Sequence, residues 1–139
     1  MMVLKGSKTE ANLKAAFAGE SMARNRYEAF ARRCDEVGAT EAAEAFRAAQ
    51  LGEVGHALGH LRRIGYDPAN GMPTDTAEQM LEAAIAGETH EYTEMYPEMA
   101  GTAIGEGFTE IAEWFQVLAK AEQFHAERFQ KALDALSNG

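Results

Sequence analysis

Two Glu-x-x-His motifs stand out in this chain: Glu53/His56 and Glu122/His125. On a helix, residues three apart lie on one face. Each motif therefore offers a carboxylate that can bridge two ions and an imidazole that binds one. Two such helices facing each other would supply two bridges and two terminal nitrogens, and a further Glu from each remaining helix would complete a two-metal site. Carboxylate oxygen with imidazole nitrogen suits Fe, Mn or Zn better than a thiolate-loving ion. One Glu-x-x-His is a weak signal in a chain of eighteen Glu and four His. Two of them, at aligned positions of an internal repeat, carry much more.

The repeat is direct. GATEAAEAF (38–46) recurs as GFTEIAEWF (107–115), and at the same offset of 69 Glu53, His56 and Ala57 align with Glu122, His125 and Ala126. Upstream, AAFAGES (15–21) recurs as AAIAGET (83–89) at an offset of 68, which pairs Glu20 with Glu88. Two helix hairpins related by duplication are expected, packed with pseudo-twofold symmetry.

Apolar periodicity predicts four helices. Helix A covers about 8–36, with Ser7 and Glu10 as a capping box. Helix B covers about 40–64 and ends at Gly65. Helix C runs from about 75 to 104, with Pro97 inside it to kink it or end it early. Helix D covers about 109–136. The expected fold class is all-α: a four-helix bundle with the ferritin-like two-metal ligand pattern, in one domain over 1–139, with hairpins about 8–64 and 75–136. The linker of about eleven residues between B and C can span ~35 Å when extended. It is long enough either to cross over within one bundle or to deliver the second hairpin to a second subunit as a domain swap.

Polar residues interrupt the stripes where the core should be. Helix D reads Phe108, Ile111, Phe115, Leu118, Glu122, His125, Phe129, Leu133, Leu136; helix A reads Leu13, Phe17, Glu20, Ala23, Tyr27, Phe30, Cys34. Helix B places Glu53, His56 and His60, and helix C places Glu88 and Glu91, on such stripes. An unpaired buried carboxylate costs several kcal/mol, and several in one core would exceed a domain's ~5–15 kcal/mol of stability. Arg and Lys fall mostly on other faces, so metal ions are the economical counter-charge.

Composition narrows the classes. Thirteen Lys+Arg against 22 Asp+Glu gives −9 over 139 residues, which speaks against nucleic acid and against a polybasic membrane anchor. The single Cys34 excludes an internal disulfide or a four-thiolate metal module, and is expected as a small core residue. No apolar run approaches the ~18 residues of a membrane span, and MMVLKGSKTE carries no long apolar leader, so a cytoplasmic location is expected.

The strings AFAGESMARNRY (16–27), GETHEYTEMYP (87–97) and AEQFH (121–125), with the Glu-x-x-His at 53–56, resemble the diiron domain of rubrerythrins over nearly the whole chain. The resemblance implies metal ligands Glu20, Glu53, His56, Glu91, Glu94, Glu122 and His125, with Glu53 and Glu122 bridging. It also implies that one iron exchanges His56 for Glu94 on oxidation. It favours Glu91 over the repeat's Glu88. Tyr27 is either a hydrogen-bond donor to a ligand carboxylate or an ordinary core tyrosine, and His90 is expected to be solvated.

The implied cofactor is a pair of Fe ions (Fe2+/Fe3+), with Mn or Zn as alternatives. The implied function is a non-haem diiron peroxidase that reduces hydrogen peroxide to water in oxidative-stress defence, with Glu94, His56 and Tyr27 closest to the chemistry. Full-length rubrerythrins carry a four-cysteine rubredoxin-like module, and the sequence past helix D holds no cysteine. The electron donor is therefore expected to be external, such as a separate rubredoxin-like protein, and the chain a homodimer. The competing functions are ferroxidase or iron handling, and a structural metal role.

Overall fold

The computed structural model describes residues 3–139. Its regular elements are helical: α1 (Lys8–Glu36), α2 (Thr40–Ile64), α3 (Ala77–His90), a π-turn (Glu91–Met95), α4 (Tyr96–Gly105) and α5 (Thr109–Asn138). They form two compact units, Met1–Pro68 and Ala69–Gly139. The first unit is the α1–α2 hairpin; in the second, α3, the π-turn and α4 all pack against α5. Of the described residues, no helix is long and apolar enough to cross a membrane.

Local chemistry sets the helix ends. The Ser7 side chain accepts from the Glu10 N–H at 3.0 Å, while the Glu10 carboxylate reaches back to the Gly6 N–H at 3.1 Å. The expected box is thus shifted by one residue on its return arm, and Glu10 also accepts from the Tyr66 hydroxyl at 2.7 Å. Helix α3 has the full reciprocal box between Thr76 and Gln79. Each hairpin turns on a glycine of positive φ, Gly38 (76°) and Gly107 (87°), which are equivalent in the repeat. A Cβ there would be strained.

The buried seam of each hairpin is made of alanine. Ala31, Ala43 and Ala57 are buried in the first unit, with Ile64; Ala100, Ala112 and Ala126 are buried in the second, with Ala83 and Ala103. The first three of each set are related by the offset of 69. Small side chains let the two helices approach closely, and the larger residues flank the seam. Several residues expected in the core of helix D are open in the single chain: Phe108, Ile111 and Leu136 are exposed, as is Trp114. Cys34 is half-buried.

Pro97 does not end the third helix. It has no N–H to give the carbonyl four residues back, and its ring would clash there. The helix widens instead: the Tyr96 N–H bonds the Glu91 carbonyl, five residues back. This π-turn is one extra residue. Glu20 and Glu88 are 68 apart, but Tyr27 and Tyr96 are 69 apart, so the offset changes across the turn. The aromatic pairs below it match in the two units: Tyr27–Phe46 centroids lie 5.8 Å apart and Tyr96–Phe115 centroids 5.9 Å.

Ala43 has no exposed surface. Overpacking such a seam costs about 1–3 kcal/mol. Ala43→Leu is expected to lower the denaturant midpoint accordingly, with the slope unchanged; a neutral result would show that the seam is not tightly packed.

Candidate metal centre

Each hairpin builds one Glu-Glu-His group. In the first, α1 supplies Glu20 and α2 supplies Glu53 and His56. In the second, α3 supplies Glu88 and α5 supplies Glu122 and His125. One ligand atom from each residue of a group lies within 4.8 Å of the others. His56 Nδ1 is 3.0 Å from Glu20 Oε2 and 3.7 Å from Glu53 Oε2. His125 Nδ1 is 3.5 Å from Glu88 Oε1 and 3.6 Å from Glu122 Oε2. The carboxylates sit inward and the imidazoles outward: Glu53 and Glu122 are 19% and 17% exposed, His56 and His125 63% and 55%.

Of the residues singled out in the sequence, Glu20, Glu53 and His56 come together in one unit, and Glu122 and His125 in the other. Glu91 is half-buried and hydrogen-bonds both Glu122 and Glu88. Glu94 stands apart, exposed and bonded through Oε2 to His90 Nδ1 at 2.8 Å. His90 is exposed, as expected, and is also the hydrogen-bond partner of Glu94. Tyr27 packs against the rings of Phe30 and Phe46, with the Arg26 guanidinium over its face. His60 is half-buried near Glu20 and contributes favourable charge to it.

The structure sets Glu88 beside Glu122 and His125, and Tyr96, which the sequence motifs do not single out, near the same carboxyl groups. The repeat held both signals, because it pairs Glu88 with Glu20 and Tyr96 with Tyr27. Burial, and then the charges of Glu91, Glu122 and Glu88, push the Tyr96 phenol above its ordinary range. It therefore keeps its proton beside three carboxyl groups.

The carboxyl groups titrate as sets. In the first unit, the hydrogen bond between Glu20 and Glu53 holds Glu20 below its usual range and raises Glu53. In the second, burial first, and then the hydrogen bonds and charges of Glu122 and Glu91, push Glu88 up to about 8. Glu91 is raised by burial and by Glu122, whereas the hydrogen bond with Glu88 lowers Glu122. Protons thus substitute for missing positive charge. Lys and Arg do not: Lys120, Arg128 and Lys131, the only three of residues 69–139, all lie at exposed positions.

Divalent ions fit this donor set. Glu88 Oε2 is buried with no hydrogen-bond partner, an orphan of the kind an ion satisfies. The ligand atoms are carboxylate oxygen and imidazole nitrogen, the set expected for Fe, Mn or Zn.

A pH dependence follows. Glu88 binds its proton more tightly folded (about 8) than at its ordinary 4.5. Its stabilising contribution is therefore complete below 4.5 and is lost as pH rises through about 8. Metal-free protein should lose stability across that window. Glu88→Gln should flatten the profile and gain about 1–3 kcal/mol at the alkaline end. Urea unfolding at several pH values with chelator checks this. A wild-type stability that rises with pH would contradict it.

The family model for rubrerythrin matches residues 11–133. Curated relatives agree along the chain. A rubrerythrin of Nitratidesulfovibrio vulgaris is 43% identical over 137 residues, covering 93% of this chain and 71% of its own length. One of Porphyromonas gingivalis is 42% identical over 144 residues, covering 98% and 71%. Rubrerythrin-1 of Clostridium acetobutylicum is 37% identical, covering 96% and 73%. With a family match over most of its length and relatives above 40% identity, this chain belongs to the rubrerythrin family.

Proposed function

We propose that this protein is a non-haem diiron peroxidase that reduces hydrogen peroxide to water with electrons from an external donor, in defence against oxidative stress. The observation that carries this is the pair of matching Glu-Glu-His groups, one per hairpin, rich in carboxylate and poor in counter-charge. Brought face to face in a four-helix assembly, they would supply Glu20, Glu53, His56, Glu122 and His125, with Glu53 and Glu122 bridging; the family resemblance adds Glu91 and Glu94 to complete the ligand set. Two Fe(II) would supply the two electrons that one peroxide takes.

The chain's own residues account for the rest. Four ligand carboxylates with two ferrous ions would sum to 0, and with Glu94 joining as the fifth two ferric ions would sum to +1, so the site stays near neutral through a cycle. Tyr96, and Tyr27 in the equivalent place of the repeat, each pack on a phenylalanine of the facing helix, Phe115 and Phe46. Burial, and then the charges of Glu91, Glu122 and Glu88, hold the Tyr96 phenol above its ordinary range, which leaves it a proton to donate beside the site. Glu88 stands beside His125 and competes with Glu91 for the ion on that side. We assign the ligand to Glu91, as the family resemblance implies, and keep Glu88, whose buried Oε2 has no partner, as the alternative. The protein should return to the reduced state through a separate redox partner and work as a homodimer.

Anaerobically reduced, iron-loaded protein should be oxidised rapidly by one equivalent of peroxide, and Glu94→Ala should slow that oxidation. Absence of peroxide-dependent oxidation would sink the peroxidase assignment, and a large hollow particle on gel filtration would redirect it to iron storage. Glu91→Gln should weaken iron binding by about tenfold or more, while Glu88→Gln should retain both irons. The reverse result would move the ligand to Glu88.

A further inference from the structure

His90 belongs to neither Glu-Glu-His group, and the chemistry proposed above makes no use of it. It ends α3, where the regular helix gives way to the π-turn. Its Nδ1 lies 2.8 Å from Glu94 Oε2. An ionised carboxylate only accepts, so Nδ1–H donates. The two side chains are 62% and 65% exposed. Glu91, three residues before Glu94, is by contrast half-buried and bonded to Glu122. In an unbroken α-helix Glu91 and Glu94 would share a face. The extra residue of the π-turn carries Glu94 off that face, four positions on from His90.

The first hairpin has no such device. At the offset of 68, His90 corresponds to Met22, and the extra residue is missing. The arrangement is therefore specific to one half of the duplicated chain.

Resting on the diiron reading, we propose that His90 is the dock that holds Glu94 away from the metals, a positioning residue that sets how readily this carboxylate joins the site. Two opposing forces act on Glu94. Glu88, Glu91 and Glu122 already crowd the level of α3 and α5, so a fourth carboxylate is repelled from it. Added positive charge at the site attracts it. The His90 hydrogen bond is a third, fixed bias toward the outside. At this exposure it is worth a factor of about two to five in the ratio of the two positions. His90 also borders a hollow of about 450 Å³ with Met95, Met99 and Phe115.

The test uses the full chain in two arms. In metal-free protein, nitrogen NMR of the histidines should show His90 as the Nδ1–H tautomer with a slowly exchanging proton, and Glu94→Ala should abolish that protection. In iron-loaded protein, His90→Ala frees Glu94 for the more positive, oxidised site. The midpoint potential should fall by about 18–40 mV, the two- to fivefold bias converted at 59 mV per tenfold for one electron. His90→Gln, which keeps an N–H donor, should recover part of the shift. In a Glu94→Ala background, His90→Ala should do nothing further. An unprotected His90 proton, an unchanged potential, or an equal shift with and without Glu94 overturns the dock. Failure to bind redox-active iron instead overturns the diiron reading, and the dock with it, and the iron content of the same sample identifies that case.

Discussion

The structure depends on one constraint: carboxyl groups gathered between helices with only imidazoles, and in the second hairpin no inward Lys or Arg, to offset them. In the second hairpin Glu88, Glu91 and Glu122 are within hydrogen-bonding reach of one another. Ionised carboxylates this close repel strongly where water is partly excluded. In the metal-free state burial, and then the neighbouring carboxyl groups, keep a proton on Glu88 far above the ordinary range, and that proton relieves the repulsion. Two divalent ions relieve it with more charge per site. The net charge of −9 is thus partly an inward-facing deficit rather than a surface property.

The scaffold around this deficit is a helix hairpin used twice. A seam of alanines, a glycine turn and an aromatic pair recur at one offset, and each hairpin presents a carboxylate pair with an imidazole at its outer edge. Alanine in the seam brings the helices close enough for a Glu from one helix to meet a Glu-x-x-His on the other. The stabilities of seam and site therefore oppose each other. Close packing gathers the very charges whose repulsion would separate the helices, unless protons or ions intervene.

Symmetry is broken at one place, and its cause is local. Pro97 cannot complete an α-helical hydrogen bond, and the helix absorbs the defect as one extra residue in a π-turn. Above the turn the register still matches the first hairpin at Glu88; below it, the match resumes at Tyr96 with the offset raised by one. Glu91 and Glu94 fall inside the interval. The second hairpin can thus carry carboxylates for which the first has no counterpart, without disturbing the aromatic pair beneath.

Much of this was legible in the sequence. Helix limits followed from apolar spacing, caps and glycines, because these are local effects decided within a few residues. The Glu-x-x-His pairs and the duplication fixed which side chains on α2 and α5 share a face, because the helical period alone determines it. Three features needed the folded chain. Glu88, not Glu91, is the α3 carboxylate within 4.8 Å of Glu122 and His125, because the distance depends on how α3 lies on α5. Pro97 widened its helix rather than ending it, because packing of α3 and α4 on the same partner helix keeps the chain in line. Glu94 turned outward to His90, because a π-turn changes the angular spacing that a regular helix would impose. Sequence determined which residues could carry charge on each helix face; tertiary structure decided which of those charges meet, because only packing sets distances between helices.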